Sequence, residues 1–163
     1  MSRPVVRARS GRFRLKLSAD EREAILEFAR QLRALLVAED PSSDEAVARL
    51  FPAAQPDDVI ENLEWERTHT PELLSDKLDA LDVVERTIER DELDGQELLA
   101  WLSSLNSLRL VLGTRLDIRE DSKAADFAGD ETASGLFELY GYLTWLEGSI
   151  VEVLTRDLEA SSG

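Results

Sequence analysis

The 163-residue chain has no cysteine, a single histidine and no apolar run of membrane-spanning length. The lack of cysteine excludes disulfides, thiolate metal sites and a cysteine nucleophile. A bilayer requires roughly 18–20 consecutive apolar residues, so we expect no transmembrane helix and no membrane contact. The basic start of the chain is not followed by an apolar segment and is therefore not a signal peptide. We expect a cytoplasmic protein.

Recognisable catalytic and cofactor motifs are also missing. His69 completes a Glu-x-x-His spacing with Glu66, but a di-iron bundle needs two such motifs, so one chain cannot assemble that site. The sequence has no Gly-x-Ser-x-Gly elbow, no Walker motif and no dinucleotide-binding glycine pattern. We therefore predict a protein that is not an enzyme and that has no catalytic residue, cofactor or metal.

Positive charge is scarce outside the N-terminus of this acidic protein. The chain has 19 basic and 34 acidic residues, a net charge of −15, and six of the basic residues lie within the first 16 positions. No acid precedes Asp20, so the remainder carries 13 basic residues against 34 acids, a net charge of −21. A surface of that sign repels phosphate backbones. Nucleic acid would therefore be contacted only through the N-terminal arm.

The basic arm, residues 1–17, is predicted to be a small β element. In RFRLKL the apolar side chains Phe13, Leu15 and Leu17 alternate with basic ones, which is typical of a strand with one buried face. The upstream VVRAR supplies the other arm of a hairpin that turns at Ser10–Gly11.

The rest of residues 1–163 is predicted to form one all-α domain, an irregular bundle of five or six helices. Ser18 and Glu21 form a capping box that opens the first helix, which should reach about Ala38. Asp40–Pro41 should end that helix, and Phe51–Pro52 should close a short second one. Residues 117–130 are acidic and aperiodic and are interpreted as a mobile loop.

Four further helices should follow. One runs from Asp57 to about Thr68, and Thr70–Pro71 restarts the chain as a new helix that reaches about Arg90. Asp94 caps the next helix, which should end near Leu116. The last helix should extend from Asp130 to about Leu158.

Charged residues interrupt the apolar stripes of the last three of these helices. On a helical wheel, Arg109 lies among Leu98, Leu102, Leu105, Leu112 and Leu116. Glu147 lies in the same way among Leu136, Tyr140, Leu143, Ile150, Leu154 and Leu158. Glu85 intrudes on the stripe of the helix before them, and Lys77 lies at its edge.

These charges predict a buried or half-buried cluster that joins Arg109 to Glu147 and Glu85, with Lys77 at its edge. An isolated buried charge is costly, so such side chains normally pair, and a guanidinium can hold two carboxylates at once. The cluster either fixes how the helices pack or lines a pocket for a small anion or a partner's side chain. An anion pocket at Arg109 and Arg115 would make an enzyme possible.

A candidate interaction surface is predicted on the last helix and on the arm. Trp145 lies opposite the apolar stripe of its own helix, near Tyr142, and suggests a second contact surface. Gly141 and Gly148 would let another helix approach closely. Alternatively, the last helix is central and buried all round. Arg12, Arg14 and Lys16 form a basic ladder that would face phosphates or simply protect an edge strand.

The stretch LNSLRLVLGTRL resembles the signature of an actinobacterial family of domains of unknown function. The similarity extends to FRLKLSADEREAILEFARQLRALL, ARLFP, KLDALD and YLTWLEGSIV, so it covers nearly the whole chain. It implies a small helical cytoplasmic protein encoded beside the ClpS-type protease adaptor, in a family of which some members are labelled transcriptional regulators. The matching positions are Arg14, Leu15, Phe51, Pro52, Lys77, Leu78, Asn106, Arg109, Gly113, Arg115, Trp145 and Leu146.

The sequence therefore favours a non-enzymatic regulatory or protein-interaction module. Its partner is an unidentified protein or a second copy of the chain. The alternative is a transcriptional regulator that contacts DNA through its basic N-terminal arm.

Overall fold

A computed structural model describes residues 3–38, 44–48, 50 and 59–162, and of residues 59–70 only the backbone. Within this part of the chain, five α-helices and a small three-stranded sheet confirm the predicted helical fold with an N-terminal β element. In chain order the elements are β1 Val5–Arg7, β2 Phe13–Leu15, α1 Ala19–Leu36, α2 Glu45–Ala48, α3 Val59–Thr87, β3 Glu92–Leu93, α4 Gly95–Arg115, a 3-10 helix Ala124–Phe127 and α5 Glu131–Ser162.

Strands β1 and β2 form the predicted hairpin. They are antiparallel, with Val5 opposite Leu15. Gly11 in the turn has φ of 86°, a left-handed conformation that glycine adopts without steric cost. Phe13 and Leu15 are buried while Arg14 between them is exposed, which is the alternation that the sequence predicts.

Strand β3 was not predicted from the sequence. It pairs Leu93 with Phe13 and Glu92 with Arg14, so the strand order is β1-β2-β3. Leu93 is fully buried. Two residues are too few to show a period-two pattern, and only the tertiary pairing reveals the strand.

Side-chain caps fix the starts of two long helices. In α1 the hydroxyl of Ser18 accepts from the backbone N–H of Glu21, and the Glu21 carboxylate accepts from the N–H of Ser18. Asp94 and Glu97 form the same reciprocal box at the start of α4. Both caps satisfy backbone donors that a helix start leaves free.

The predicted break at Thr70–Pro71 is wrong, because α3 continues through Pro71 and ends at Thr87. Proline has a helix-compatible φ, but it lacks the backbone N–H and its ring presses on the carbonyl of residue i−4, so a helix passes through it at a cost of about 3 kcal/mol. Burial of Leu81 and Val84 further along the same helix opposes that cost. The predicted helix ends at Asp40–Pro41 and Phe51–Pro52 lie outside the described residues.

Helix α4 is the centre of the bundle. It packs against α1, α2, α3 and α5, and its Leu98, Trp101 and Leu105 are fully buried. The indole N–H of Trp101 donates to the hydroxyl of Thr87 at 2.8 Å, and that hydroxyl donates to the carbonyl of Val83 at 2.7 Å. The helix that carries Arg109 is therefore enclosed on several sides.

Helix α5 covers one side of α4 and also packs against β1. Its buried residues are Leu143, Leu146 and Ile150, while Leu158 is 71 % exposed. The predicted stripe is therefore wrong at Leu158, and it omits the buried Leu146. The alternative that this helix is buried all round is also wrong, since Trp145 is 42 % exposed.

The segment predicted as an acidic mobile loop, residues 117–130, contains the 3-10 helix. The ring of Phe127 stacks on Phe137 of α5 with centroids 4.8 Å apart. The backbone N–H of Lys123 donates to Asp126 at 2.9 Å. Its mobility, like the single-domain organisation of the chain, stays a prediction.

Candidate functional site

The structure brings together Arg109 of α4 and Glu147 of α5. Nε of Arg109 lies 2.7 Å from Oε2 of Glu147, and their side chains are 26 % and 17 % exposed. The guanidinium also donates to Asn106 at 2.9 Å and reaches the Tyr140 hydroxyl at 3.5 Å. The pair is therefore half-buried and hydrogen-bonded on several edges, and it links the central helix to α5.

The surroundings keep Arg109 charged. Burial alone would lower the pKa of its guanidinium, but the Glu147 charge and the hydrogen bonds to Tyr140 and Glu147 outweigh burial and raise that pKa. Tyr140 lies against Gly113, where an added Cβ would be 3.2 Å from Cε2 of the ring. The small residue thus lets Tyr140 pack close to α4 beside the ion pair.

The predicted pairing of Arg109 with Glu85 is wrong, whereas the place of Lys77 at the edge of the cluster stays a prediction. Oε1 of Glu85 lies 3.1 Å from Nε of Arg33, so Glu85 joins α3 to α1 instead of α4. Lys77 is half-buried, and burial lowers its pKa, while the charge of Asp76 opposes that shift. A helical wheel shows that a residue interrupts a stripe, but not which neighbouring helix that edge of the stripe meets.

A second arginine is more deeply buried, and sequence reasoning missed it. Arg22 of α1 is only 8 % exposed. Its guanidinium donates to four backbone carbonyls at 2.7–3.2 Å: Leu15, Leu17, Ile88 and Arg90. Arg22 thus ties the first turn of α1 to the end of β2 and to the segment that leads from α3 to β3. The signal was available, because Arg22 shares a helix face with Ile25 and Ala29.

The basic N-terminal arm lies beside acids of β3, α4 and α5. Arg12 lies 3.5 Å from Glu97, Arg14 lies 3.4 Å from Glu92, and Arg3 lies 3.7 Å from Glu152. Arg7 forms a further ion pair with Asp157 of α5. Lys16 is exposed, and its backbone N–H donates to the carbonyl of Pro4 at 2.7 Å. Four cations of the predicted phosphate-facing arm are therefore matched with carboxylates of the same chain.

The predicted aromatic surface on α5 is partly buried. Trp145 is 42 % exposed and its ring centroid lies 5.9 Å from that of Tyr142. Burial, together with the Glu21 carboxylate, raises the pKa of Tyr142. An added Cβ at Gly141 or Gly148 would meet nothing within 4 Å, so no described residue packs closely there.

The surroundings of Arg109 and Arg115 are not those of an anion pocket. A polar cavity of about 200 Å³ beside Arg109 is also lined by Glu45 and Asp117. Arg115 donates to Asp44 at 2.8 Å. Carboxylates therefore already accompany both guanidiniums, and they would repel a bound anion.

An apolar groove opens on the described surface between α1 and α5, and we call it the α1–α5 groove. Its volume is about 640 Å³. Leu108, Val111 and Leu112 of α4 form the floor. The walls and rim are Phe28, Gln31, Leu32, Ala34 and Leu35 of α1, Arg115 of α4 and Leu136 of α5. Sequence reasoning missed this groove because it depends on how far apart two helices lie.

Two kinds of site are not found among the residues whose placement is described. No three His, Cys, Asp or Glu side chains gather there into a potential metal site. None of the helices in those ranges has the length and apolarity that crossing a bilayer requires. The side chain of His69 lies outside the described part of the chain.

Comparison with known proteins gives a family but no activity. No curated protein and no solved structure matches the chain. The model of one family, the domain of unknown function DUF2017, matches residues 2–154. That match covers nearly the whole chain, and the protein therefore belongs to the DUF2017 family.

Proposed function

We propose that this protein is a non-enzymatic protein-interaction module with a regulatory role, and that it binds its partner in the α1–α5 groove. One observation carries the proposal: an apolar groove of about 640 Å³ lies open on the surface of a strongly acidic protein. Exposed apolar concavities of this kind mark binding sites for ligands or partners, because covering them releases water from apolar surface.

The charged residues have structural explanations and do not need a functional one. Arg109 and Glu147 satisfy one another across α4 and α5, and Arg22 is occupied by backbone carbonyls. Both arrangements set the packing of helices. The groove is different, since its half-buried Phe28, Leu35 and Leu136 have an open side.

The alternative, DNA contact through the basic arm, has weaker support. Arg3, Arg7, Arg12 and Arg14 each lie beside a carboxylate of the body. A phosphate backbone would have to displace these carboxylates and to approach a chain of net charge −15. A gel shift with and without residues 1–16 would reveal such binding as a salt-dependent shift that truncation abolishes.

The family resemblance supports a regulatory role in general terms. It implies an actinobacterial, cytoplasmic protein whose gene lies beside that of the ClpS-type protease adaptor. A small helical protein without catalytic motifs suits an adaptor-like or regulatory task in that setting.

Affinity capture from a native lysate tests the proposed function. The bait is the full chain, compared with the groove variants Leu35→Asp and Ala34→Asp. Ala34 is exposed, so its substitution should leave the core intact. Leu158→Asp is the matched control, because it places the same charge on a leucine that is 71 % exposed and far along α5.

We expect a captured protein that both groove variants lose and the control retains. A captured set that is the same for all four chains would contradict the proposal. Trp145→Ala in the same experiment tests the aromatic surface separately. If that variant alone loses the captured protein, the binding surface lies at Tyr142 and Trp145 instead of the groove.

A further inference from the structure

The hydrogen bonds of the hairpin show which backbone groups of β1 face β2. The N–H of Lys16 donates to the carbonyl of Pro4 at 2.7 Å. The N–H of Ala8 donates to the carbonyl of Arg12 at the same distance. Residues that exchange hydrogen bonds alternate along an antiparallel pair of strands. Val6, which lies midway between Pro4 and Ala8, therefore bonds to β2 as well.

Val5 and Arg7 direct their N–H and C=O groups away from β2 for the same reason. Strand β1 is the first in the order β1-β2-β3, and none of these groups has a backbone partner among the residues that the structure describes. Val5 is also only 2 % exposed, and a buried backbone group without a partner is costly. The outer edge of β1 is thus a template on which a further strand can pair.

A cavity of about 300 Å³ borders this edge, and we call it the β1–α5 cleft. Val5, Val6 and Arg7 line one side, and Val153 and Ala160 of α5 lie on the other. The cleft shares no lining residue with the α1–α5 groove, so the two are separate places on the molecule. An extended peptide that adds to a strand edge forms hydrogen bonds through its main chain and places alternate side chains in pockets beside the strand.

The charged side chains that line the β1–α5 cleft have one more positive than negative charge. They are the guanidiniums of Arg3, Arg7 and Arg156 and the carboxylates of Glu152 and Asp157. Asp157 pairs with Arg7. Glu152 is shared, since its Oε1 lies 3.7 Å from Nη2 of Arg3 and 2.6 Å from Nη2 of Arg156. The side chains of Arg3 and Arg156 are 56 % and 52 % exposed, so a further carboxylate can reach them.

This balance of charge selects the occupant of the cleft. Just outside the lining, the exposed Arg9 and Glu159 are opposite in sign and leave the excess of one positive charge unchanged. A strand with acidic side chains matches that excess. A second copy of β1 would match the backbone edge, but it would place its own arginines beside Arg3 and Arg7, and like charges on adjacent strands repel.

We propose that the β1–α5 cleft binds an extended acidic segment of a partner protein, which adds to the sheet as a fourth strand beside β1. The N–H and C=O groups of Val5 and Arg7 bond its main chain, and a Glu or Asp side chain of the segment pairs with Arg3 or Arg156. This surface is additional to the α1–α5 groove, so the proposed function does not depend on it.

Three fluorescently labelled peptides of about six residues, the length of a typical strand, test this proposal. The first alternates valine with glutamate. The second has lysine in place of glutamate, and the third is the glutamate peptide with its backbone nitrogens methylated, which removes the main-chain donors and keeps every side chain. Fluorescence anisotropy with the full-length protein measures binding. We expect the first peptide to bind more than about tenfold tighter than either of the others.

A proline at position 7 tests the strand edge of the protein itself. Arg7→Pro removes one outward N–H but no hydrogen bond to β2, so the hairpin can still form. Arg7→Ala is the matched control, because it loses the same guanidinium and keeps the N–H. We expect the glutamate peptide to bind Arg7→Pro at least about fivefold more weakly than Arg7→Ala. Arg156→Gln should weaken binding of the same peptide a few-fold.

Amide hydrogen exchange in the unchanged protein gives a readout that does not depend on how a variant folds. The amide hydrogen of Arg7 should exchange with solvent faster than those of Val6 and Ala8, which bond to β2. Addition of the glutamate peptide should slow exchange at Arg7 at least about tenfold, because its N–H then donates to the peptide.

Several results would overturn the inference. Equal binding of the methylated peptide, or equal binding by Arg7→Pro and Arg7→Ala, would exclude pairing with the strand edge. Tighter binding of the lysine peptide would reverse the assigned charge. A dimer that Arg7→Pro dissociates and Arg7→Ala retains would make a second copy the occupant. Leu35→Asp should bind the glutamate peptide as the wild type does, and a loss there would place the peptide in the α1–α5 groove instead. If no peptide binds while lysate capture still depends on that groove, this inference fails and the proposed function stands.

Discussion

At the residue scale, two arginines placed in apolar stripes are stabilised in different ways. Arg22 is almost fully buried and donates to backbone carbonyls, whereas Arg109 is partly exposed and pairs with Glu147. A planar guanidinium has five donors in a fixed fork, so Arg22 can satisfy four carbonyls at once while Asp91 lies 3.6 Å from its Nη2. Loss of the more deeply buried Arg22 should therefore reduce stability more than loss of Arg109.

Replacing Arg22 with methionine should lower the free energy of unfolding by about 3–5 kcal/mol. The substitution leaves the carbonyls of Leu15 and Ile88 without their donor in a buried setting. Arg22→Lys should not restore stability, since one ammonium cannot reach carbonyls on three segments. Urea unfolding followed by circular dichroism measures the change, and a loss below about 1 kcal/mol would contradict the role given to Arg22.

Replacing Arg109 with alanine should cost less, about 1–2 kcal/mol, because roughly a quarter of its side chain is exposed to water. Glu147→Gln should have a similar effect. In a double-mutant cycle the two changes should couple by about 1 kcal/mol, since they remove the same contact. Strictly additive effects would show that the ion pair contributes no net stability.

At the element scale, the apolar patterns of long helices were the most predictable part of this fold. The capping box at Ser18 and the cap at Asp94 marked two helix starts correctly, and the alternation around Phe13 predicted a strand. These features depend on neighbours within a few residues of the chain. The structure differs from the prediction where contacts between residues far apart in the sequence determine the local conformation. Examples are the continuation of α3 through Pro71 and the two-residue strand β3.

The candidate site was predictable only in part for the same reason. Helical wheels identified Arg109 and Glu147 as charges in apolar stripes, and the structure places them in contact. The same wheels assigned Glu85 to the wrong partner, and the sequence could not reveal a groove formed by the separation of α1 and α5. The periodicity of the sequence shows which faces of a helix are apolar. Which of these faces come into contact is decided by how the helices pack.

The glycines of α5 offer a test at this scale. Gly141→Ala and Gly148→Ala should each raise the free energy of unfolding by about 0.5–1 kcal/mol, because alanine is the better helix former and nothing described lies within 4 Å of the added Cβ. Gly113→Ala should gain less or lose stability, since its Cβ would press on Tyr140. Destabilisation by the α5 variants would indicate a close-packed partner helix at that face.

At the scale of the whole molecule, carboxylates whose pKa values are lowered in the folded state make stability depend on pH. Burial alone would raise the pKa of Glu21, but the Tyr142 hydroxyl and hydrogen bonds with Ser18 lower it below its ordinary value of 4.5. Burial would likewise raise the pKa of Asp44, yet the N–H groups of Val47 and Ala46 and the charge of Arg115 lower it. Both carboxylates therefore stabilise the folded state while they are ionised.

Unfolding experiments across the acid range should show this contribution. A carboxyl with a lowered folded pKa binds fewer protons when folded than when unfolded, so its stabilisation is present at neutral pH and disappears as the pH falls below about 4.5. Glu21→Gln should lose less stability than the wild type between pH 7 and pH 4. Parallel losses in the two proteins would contradict the assignment to Glu21.

The whole molecule is a helical bundle with one buried apolar core, ion pairs between its elements and an apolar groove that we propose a partner fills. The hairpin cations lie beside acids of the body, Arg22 anchors α1, and Arg109 links α4 to α5. The described residues do not fill the α1–α5 groove.

Site-specific photo-cross-linking in living cells tests this central claim most directly. A photoreactive phenylalanine at position 28 or 35 faces the groove, and the same residue at position 158 serves as the control. We predict one dominant covalent adduct, heavier than the chain, from both groove positions and none from position 158. No adduct from positions 28 and 35, or the same adducts from all three positions, would contradict the claim that the groove is where this protein meets its partner.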